Sequence, residues 1–271
     1  MAKNTNILER YAIVLEALAA APDGMYLTEI ANQTEIPQAT AHRLVKALLK
    51  VGYVVQRDNR KIYVLGPRLL RLLYAGVPPM AVSLLSSQPL QALVTEFKET
   101  AFVAKLVGVR VESVAMVVPS GEVQSFVQPG RNMPINAAAS AKAIFAFSDA
   151  DVLEPALAEP LVKYQQNTHI DREAIISDLE SVRRNGYAIC EEELDPGVKS
   201  FACPIHTGGA GVICSVGIVG LLMRLQNFND THIVSELRTA ANQISELLQS
   251  SQYGLTEIDD RVVATDLRGS Y

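Results

Sequence analysis

YLTEIANQTEIPQATAHRLVKALLKVGY, residues 26–53, spells two short helices and a turn. Leu27, Ile30 and Ala31 mark one face of the first helix. The run NQTEIP at 32–37 breaks the pattern. Pro37 suits the first turn of a new helix, where a missing N–H costs nothing. From there Ala41, Leu44, Val45, Leu48 and Leu49 recur at steps of three and four, so they share one buried face. The opposite face carries Gln38, Thr40, His42, Arg43, Lys46 and Lys50. Short polar groups near a helix start, with cations further along, are what touching base edges and gripping phosphate requires. The expected DNA contacts are therefore Gln38, Thr40, His42, Arg43 and Lys46. Thr28 and the small Ala41 are counted with them.

The charge distribution agrees with this polarity. The whole chain of 271 residues has a net charge of −5, which looks wrong for a DNA binder. Residues 1–75, however, hold ten Lys/Arg against six Asp/Glu, a net +4, and the remainder carries −9. A basic module on an acidic body suits contact with phosphate, although +4 is also within ordinary charge scatter. The length allows two domains, and 49% hydrophobic residues can fill their cores. No apolar run reaches the roughly eighteen residues of a membrane span, and MAKNTNILERY has no signal-peptide core. Three cysteines fit a reducing cytoplasm better than a disulfide framework.

Outward from the opening segment, Asn4 or Asn6 caps a first helix from about Ile7 to Ala20, with Ile7, Tyr11, Val14, Leu15 and Leu18 inward. On the other side, residues 53–56 and 62–65 read as a hairpin with the polar tip RDNRK. This is a wing, and its cations Arg57, Arg60 and Lys61 suit phosphate or simply solvate the turn. PRLLRLLYA, 67–75, is a short leucine-rich helix. A linker at 77–85 follows, and Pro89 suits the start of the next helix. Strand-like runs at 102–107, 110–118 and 122–127 form a meander. NAAASAKAIFAF, 149–157 and 171–185 are helical, the last capped by Asp171. Two further strands flank the turn HTGGAG, and Asn229 or Asp230 caps a helix to about Leu248. The expected domains are 1–76, a linker at 77–85, 86–252, and a loosely ordered polar tail at 253–271.

ILERYAIVLEAL with LTEIANQTEIPQATAHRLVKALLKVGYV resembles the IclR family of bacterial transcription regulators. NAAASAKAIFA resembles that family's pocket helix, and GYAICEEELDPGVKSFACPI its Gly-Tyr, acidic-pair, Gly-Val, Ala-x-Pro signature. The resemblance spans about residues 6–250. It implies an α+β fold: a winged helix-turn-helix, a linker helix and a GAF-like effector domain with an antiparallel sheet. It also implies a dimer or tetramer on double-stranded operator DNA, controlled by a small metabolite, without catalysis. Asn136, Ala141, Cys190, Ser200, Gly217 and Val219 depart from the family's usual residues, so the effector cannot be carried over.

The pocket is also legible from the residues. If 198–205 and 211–220 pair about HTGGAG, Ser200 faces Gly217 and Ala202 faces Ser215. Strand alternation then puts Ser200, Ser215, Gly217 and Val219 on one surface. Cys203 and Cys214 lie on the other, under helices. Ala139 and Ser140 start a helix whose free N–H groups suit a carboxylate, unless their small size serves packing alone. Phe102, Phe126, Met133 and Val219 supply apolar walls. These favour an aromatic or other partly apolar carboxylate over a polar two- or three-carbon acid. Cys190 and Glu192 complete the expected effector contacts.

Adjacent Glu192 and Glu193 on an extended segment point apart, so they make no catalytic pair. Cys203 and Cys214 lack further ligands at metal spacing. No cofactor or metal is expected. Repressor and activator remain open, as does a GAF-like sensor or enzyme whose N-terminal helices only dimerise.

Overall fold

The computed structural model describes residues 6–57, 61–120, 127 and 129–254. These divide into two compact units. One comprises residues 1–76 with Gly209–Gly211, the other the rest of the chain.

The first unit opens with α1, Ile7–Ala19. Asn6 accepts from the Glu9 N–H at 2.9 Å while Glu9 accepts from the Asn6 N–H at 2.8 Å, a closed capping box. Val14, Ala17 and Leu18 face the core, but Ile7 is 63% exposed and does not turn inward as its spacing implied. The two-residue strand β1, Met25–Tyr26, leads into α2, Leu27–Thr34, and α3, Gln38–Lys50. Ala41, Leu44, Val45 and Leu48 of α3 are buried. The wing is β2, Val54–Arg57, with β3, Ile62–Leu65, paired from Val54↔Leu65 to Arg57↔Ile62. β1 adds to β3, giving a three-stranded sheet of order β1-β3-β2. The unit ends with α4, Pro67–Ala75, whose Leu72 and Leu73 are exposed.

Glu35 ends α2 in the left-handed region, at φ 55° and ψ 22°. A side chain there clashes with its own backbone, and glycine removes the clash. Glu35→Gly is expected to stabilise the chain by about 0.5–1 kcal/mol, after the greater freedom of the unfolded glycine is counted. A higher urea midpoint at unchanged slope would report it.

The second unit begins at Val77 and enters α5, Pro79–Phe97. One expectation fails here: Pro89 sits inside α5, which already takes in residues 79–85, rather than at a helix start. Ser86 and Pro89 are both buried, so tertiary packing carries the helix through the proline. At the other end of this segment, buried Lys105 donates from Nζ to the Val77 carbonyl at 2.6 Å. Burial pushes that ammonium below its ordinary pKa.

Among the described residues, the large sheet is antiparallel with order β6-β5-β4-β9-β8-β7. Its strands are β4, Thr100–Val107; β5, Arg110–Val117; β6, Asn132–Met133; β7, Ala188–Glu191; β8, Val198–His206; and β9, Val212–Leu221. The expected third strand, 122–127, and the tail beyond Gly254 lie outside the described residues. Helices α6, Ala139–Phe145, α7, Ala150–Ala158, and α8, Arg172–Asn185, follow β6. A short α9, Leu222–Leu225, precedes α10, Asp230–Gly254, which runs past the expected end near Leu248.

The β8–β9 register differs from the expected one by two residues. Ser200 pairs with Val219, Ala202 with Gly217 and Pro204 with Ser215. A bulge at Ile205/His206 and a 3₁₀ turn at Gly208–Ala210 displace the pairing. A shift of two preserves the faces. Ser200, Ser215, Gly217 and Val219 therefore do share one side, and Cys203 and Cys214 share the other. No single described helix is long and apolar enough to cross a membrane.

Candidate functional site

Two regions collect the residues singled out in the sequence. The first is the outer face of α3. Gln38, His42, Arg43 and Lys46 are exposed, and Thr40 is half-buried. A shallow groove between α2 and α3 brings Thr28 beside Gln38. Arg57 and Lys61 are exposed at the wing, while Arg60 lies outside the described residues. Ala41 must be removed from the set. It is 0% exposed, because it stands on the same stripe as Leu44 and Leu48. Its side chain reaches the core and no solvent-side partner.

The second region is a small cavity between α6 and the sheet. Phe102, Met133, Ala139, Ser140, Cys190, Ser200 and Val219 all line it, as do Arg131, Leu194, Asp195 and Val198. Its volume is about 40 Å³, room for a few waters at most. Ser215 lies beneath it. Its hydroxyl donates to the Ser140 carbonyl at 3.1 Å, tying β9 to α6. Gly217 is covered rather than open, since a Cβ there would stand 2.8 Å from the Phe102 ring. The ring occupies the space that a larger residue would need.

Two positions singled out in the sequence are not brought to this cavity. Glu192 bends away at φ 53° and accepts from the Gly197 N–H at 2.8 Å, closing the β7–β8 connection. Asn136 is buried elsewhere and donates from Nδ2 to the Val162 and His169 carbonyls, both at 2.9 Å. Phe126 lies outside the described residues. The helix-end expectation also weakens, because α6 has only seven residues. A short helix sums few peptide dipoles.

What takes its place is Ser140. Its side chain is 0% exposed, lines the cavity, and its Oγ has no hydrogen-bond partner among the described residues. A hydroxyl buried in this way costs about 1–3 kcal/mol unless something supplies a bond. Beside it, Arg131 stands at the mouth with a loose 3.8 Å contact to Asp195. Nothing in the sequence pattern marked Arg131, Leu194, Asp195 or Val198, since loop residues carry no periodicity.

An ion cluster backs the cavity. Lys142 of α6 is 3% exposed and reaches Glu193 at 2.5 Å and Asp178 of α8 at 2.7 Å. Burial pushes the Glu193 carboxyl up, and Lys142 pulls it part of the way back. For Lys142, burial works to lower the pKa, but the two carboxylates outweigh it and hold the ammonium above its ordinary value. Burial also raises the Cys190 thiol, with Glu193 adding to the effect. Cys203 and Cys214, in the core on the opposite face, are pushed to about 12.

The chain matches two family models. "Bacterial transcriptional regulator IclR C-terminal" covers residues 78–246, and "IclR helix-turn-helix domain" covers 8–58. It is 28% identical over 258 residues to the glycerol operon regulatory protein of Streptomyces coelicolor, covering 93% of this chain and all of that one. It is 29% identical over 201 residues to the HTH-type transcriptional regulator TtgV of Pseudomonas putida, covering 74% and 76%. Its fold is similar to that of an IclR homologue of Microbacterium hydrocarbonoxydans crystallised with 4-hydroxybenzoate. That likeness has a TM-score of 0.58 at 23% identity, over 90% of this chain and 100% of the other. The helix-turn-helix at one end and the matched C-terminal domain at the other identify one molecule: the chain belongs to the IclR family of bacterial transcription regulators.

Proposed function

We propose that this regulator works as a cytoplasmic dimer or tetramer on double-stranded operator DNA, and that a small, partly apolar carboxylate, such as an aromatic acid, bound beside Ser140 sets its occupancy. Gln38, Thr40, His42, Arg43 and Lys46 of α3 meet the major groove. Thr28, Arg57 and Lys61 hold phosphate. The effector's polar end takes the unpartnered Ser140 hydroxyl, with Arg131 as its cation, and Ser200 and the Cys190 thiol flank it. Phe102, Met133, Leu194, Val198 and Val219 hold the apolar body. No step of covalent chemistry is required. The buried Ser140 hydroxyl carries this reading, and the aromatic acid bound by the Microbacterium relative accords with the apolar walls.

The DNA half is tested by gel shift with the chain's own upstream region as salt is varied. A complex that weakens steeply with salt is expected. No complex even at low salt would end this reading. For the pocket, carboxylates are screened by thermal shift on the wild type. Ser140→Phe fills a 40 Å³ cavity. It should abolish the stabilisation given by any hit while leaving operator binding in place. Retained stabilisation would move the effector elsewhere.

A further inference from the structure

Two parts of the cavity wall come from neither the sheet nor a helix: Val127 with Arg131, and the pair Leu194 and Asp195. Leu194 and Asp195 belong to the β7–β8 connection. That loop has residues of positive φ at both ends, 53° at Glu192 and 70° at Gly197. Its base is closed: the Glu192 N–H donates to the Val198 carbonyl at 2.9 Å, and the Gly197 N–H donates to Glu192 Oε1 at 2.8 Å. Residues 193–196 therefore stand on a pinned neck and can turn as one piece. Besides backbone hydrogen bonds from Glu193 and Leu194 to the Cys190 thiol, three ties hold them down. Lys142 Nζ meets Glu193 Oε2 at 2.5 Å, and Thr168 Oγ1 donates to the Glu193 carbonyl at 2.5 Å. Arg131 and Asp195 make the third, at 3.8 Å. The two short ties converge on a single residue, Glu193.

A cavity of 40 Å³ admits no ring-sized acid, whereas ligand sites hold about 300 Å³ or more. Some wall must move. The sheet wall is held by its ladders, and α6 is buried along its whole length. Of the two loop walls, that of Val127 has its apolar residue buried, whereas residues 193–195 are half-exposed and stand on the pinned neck. We propose that residues 193–196 are the lid of this pocket and that Glu193, gripped by Lys142 and Thr168, is its latch. The proposal rests on the pocket being the effector site.

Cys190 offers a reporter beneath the lid, since it lines the cavity and is 4% exposed. Cys203 and Cys214 lie in the core on the other face and report general opening. The whole chain, with no effector present, is treated with iodoacetamide. Each thiol's rate is then read by mass spectrometry after timed quenching. Thr168→Val removes one tie without changing charge. The ratio of the Cys190 rate to the Cys203 and Cys214 rates is expected to rise about fivefold in it. In Lys142→Met the ratio should rise about tenfold or more. Charge alone predicts the opposite sign there, because Lys142 favours the Cys190 thiolate. If Lys142→Met does not fold, Thr168→Val decides by itself. A ratio at the wild-type value in either folded variant overturns the lid. The outcome is independent of effector identity: the effector reading falls on a Ser140→Phe chain that still responds to carboxylate, not on the labelling ratio.

Discussion

Lys142→Met is expected to lower the free energy of unfolding by about 3–5 kcal/mol. Lys142 is 3% exposed and holds two carboxylates, of which Glu193 is itself mostly buried. Removing the cation leaves Glu193 and Asp178 facing each other with no neutralising charge. The loss should be largely recovered by replacing all three members together. In Lys142→Met with Asp178→Asn and Glu193→Gln, no buried charge remains uncompensated, and such neutral replacements are commonly close to isoenergetic. Urea unfolding of the two chains measures both numbers. A single mutant as stable as the wild type would show that the cluster is solvated in solution and contributes no held charge.

Arg43→Ala is expected to weaken specific operator binding by about 1–3 kcal/mol and to relax preference at one base pair. Arg43 is exposed near the middle of α3, opposite the buried Leu44 and Leu48 stripe, where a guanidinium can reach a guanine edge through two bonds. Lys46→Ala, one turn further on, should behave differently. Its loss should weaken all sequences alike and reduce the slope of log affinity against log salt by about one. Titrations of operator and scrambled DNA at three salt concentrations separate the two effects. Equal binding by the wild type and both variants would remove α3 as the reading helix.

Much of the architecture was visible in the residues because burial imposes periodicity. The stripe Ala41–Leu48, the alternation along β8 and β9 and the Asp171 cap each follow from one local rule. The misses share a different origin. β1 is two residues long, too short for any period to register, and it exists only because β3 offers it an edge. Pro89 reads as a helix start by its own chemistry, and only packing around α5 overrules it. The β8–β9 register depended on a turn whose bulge the sequence does not announce, although parity kept the faces right. In the pocket, α6 and the strands were legible, whereas Arg131, Leu194 and Asp195 come from loops. The Lys142 cluster did leave a trace: one lysine inside an otherwise small and apolar helix, and an acidic run fifty residues later. Neither half was joined to the other, because only the tertiary fold brings α6 to that loop. Ala41 shows the converse: its place near the start of α3 suits DNA contact, but the stripe it shares with Leu44 and Leu48 keeps it in the core.

Pro89 has a mechanical meaning as well. Lacking an N–H, it cannot bond the Leu85 carbonyl, so one rung of α5 is missing at mid-length. The rod is therefore least stiff there, and bends in helices concentrate at such points. The later half is bolted down by Leu90, Leu93, Val94 and Phe97. The earlier half carries the exposed Met80 and Leu84 and has fewer anchors. A torque applied at the Val77 end would thus flex α5 at Pro89 and reach the sheet through the Lys105 bond to the Val77 carbonyl.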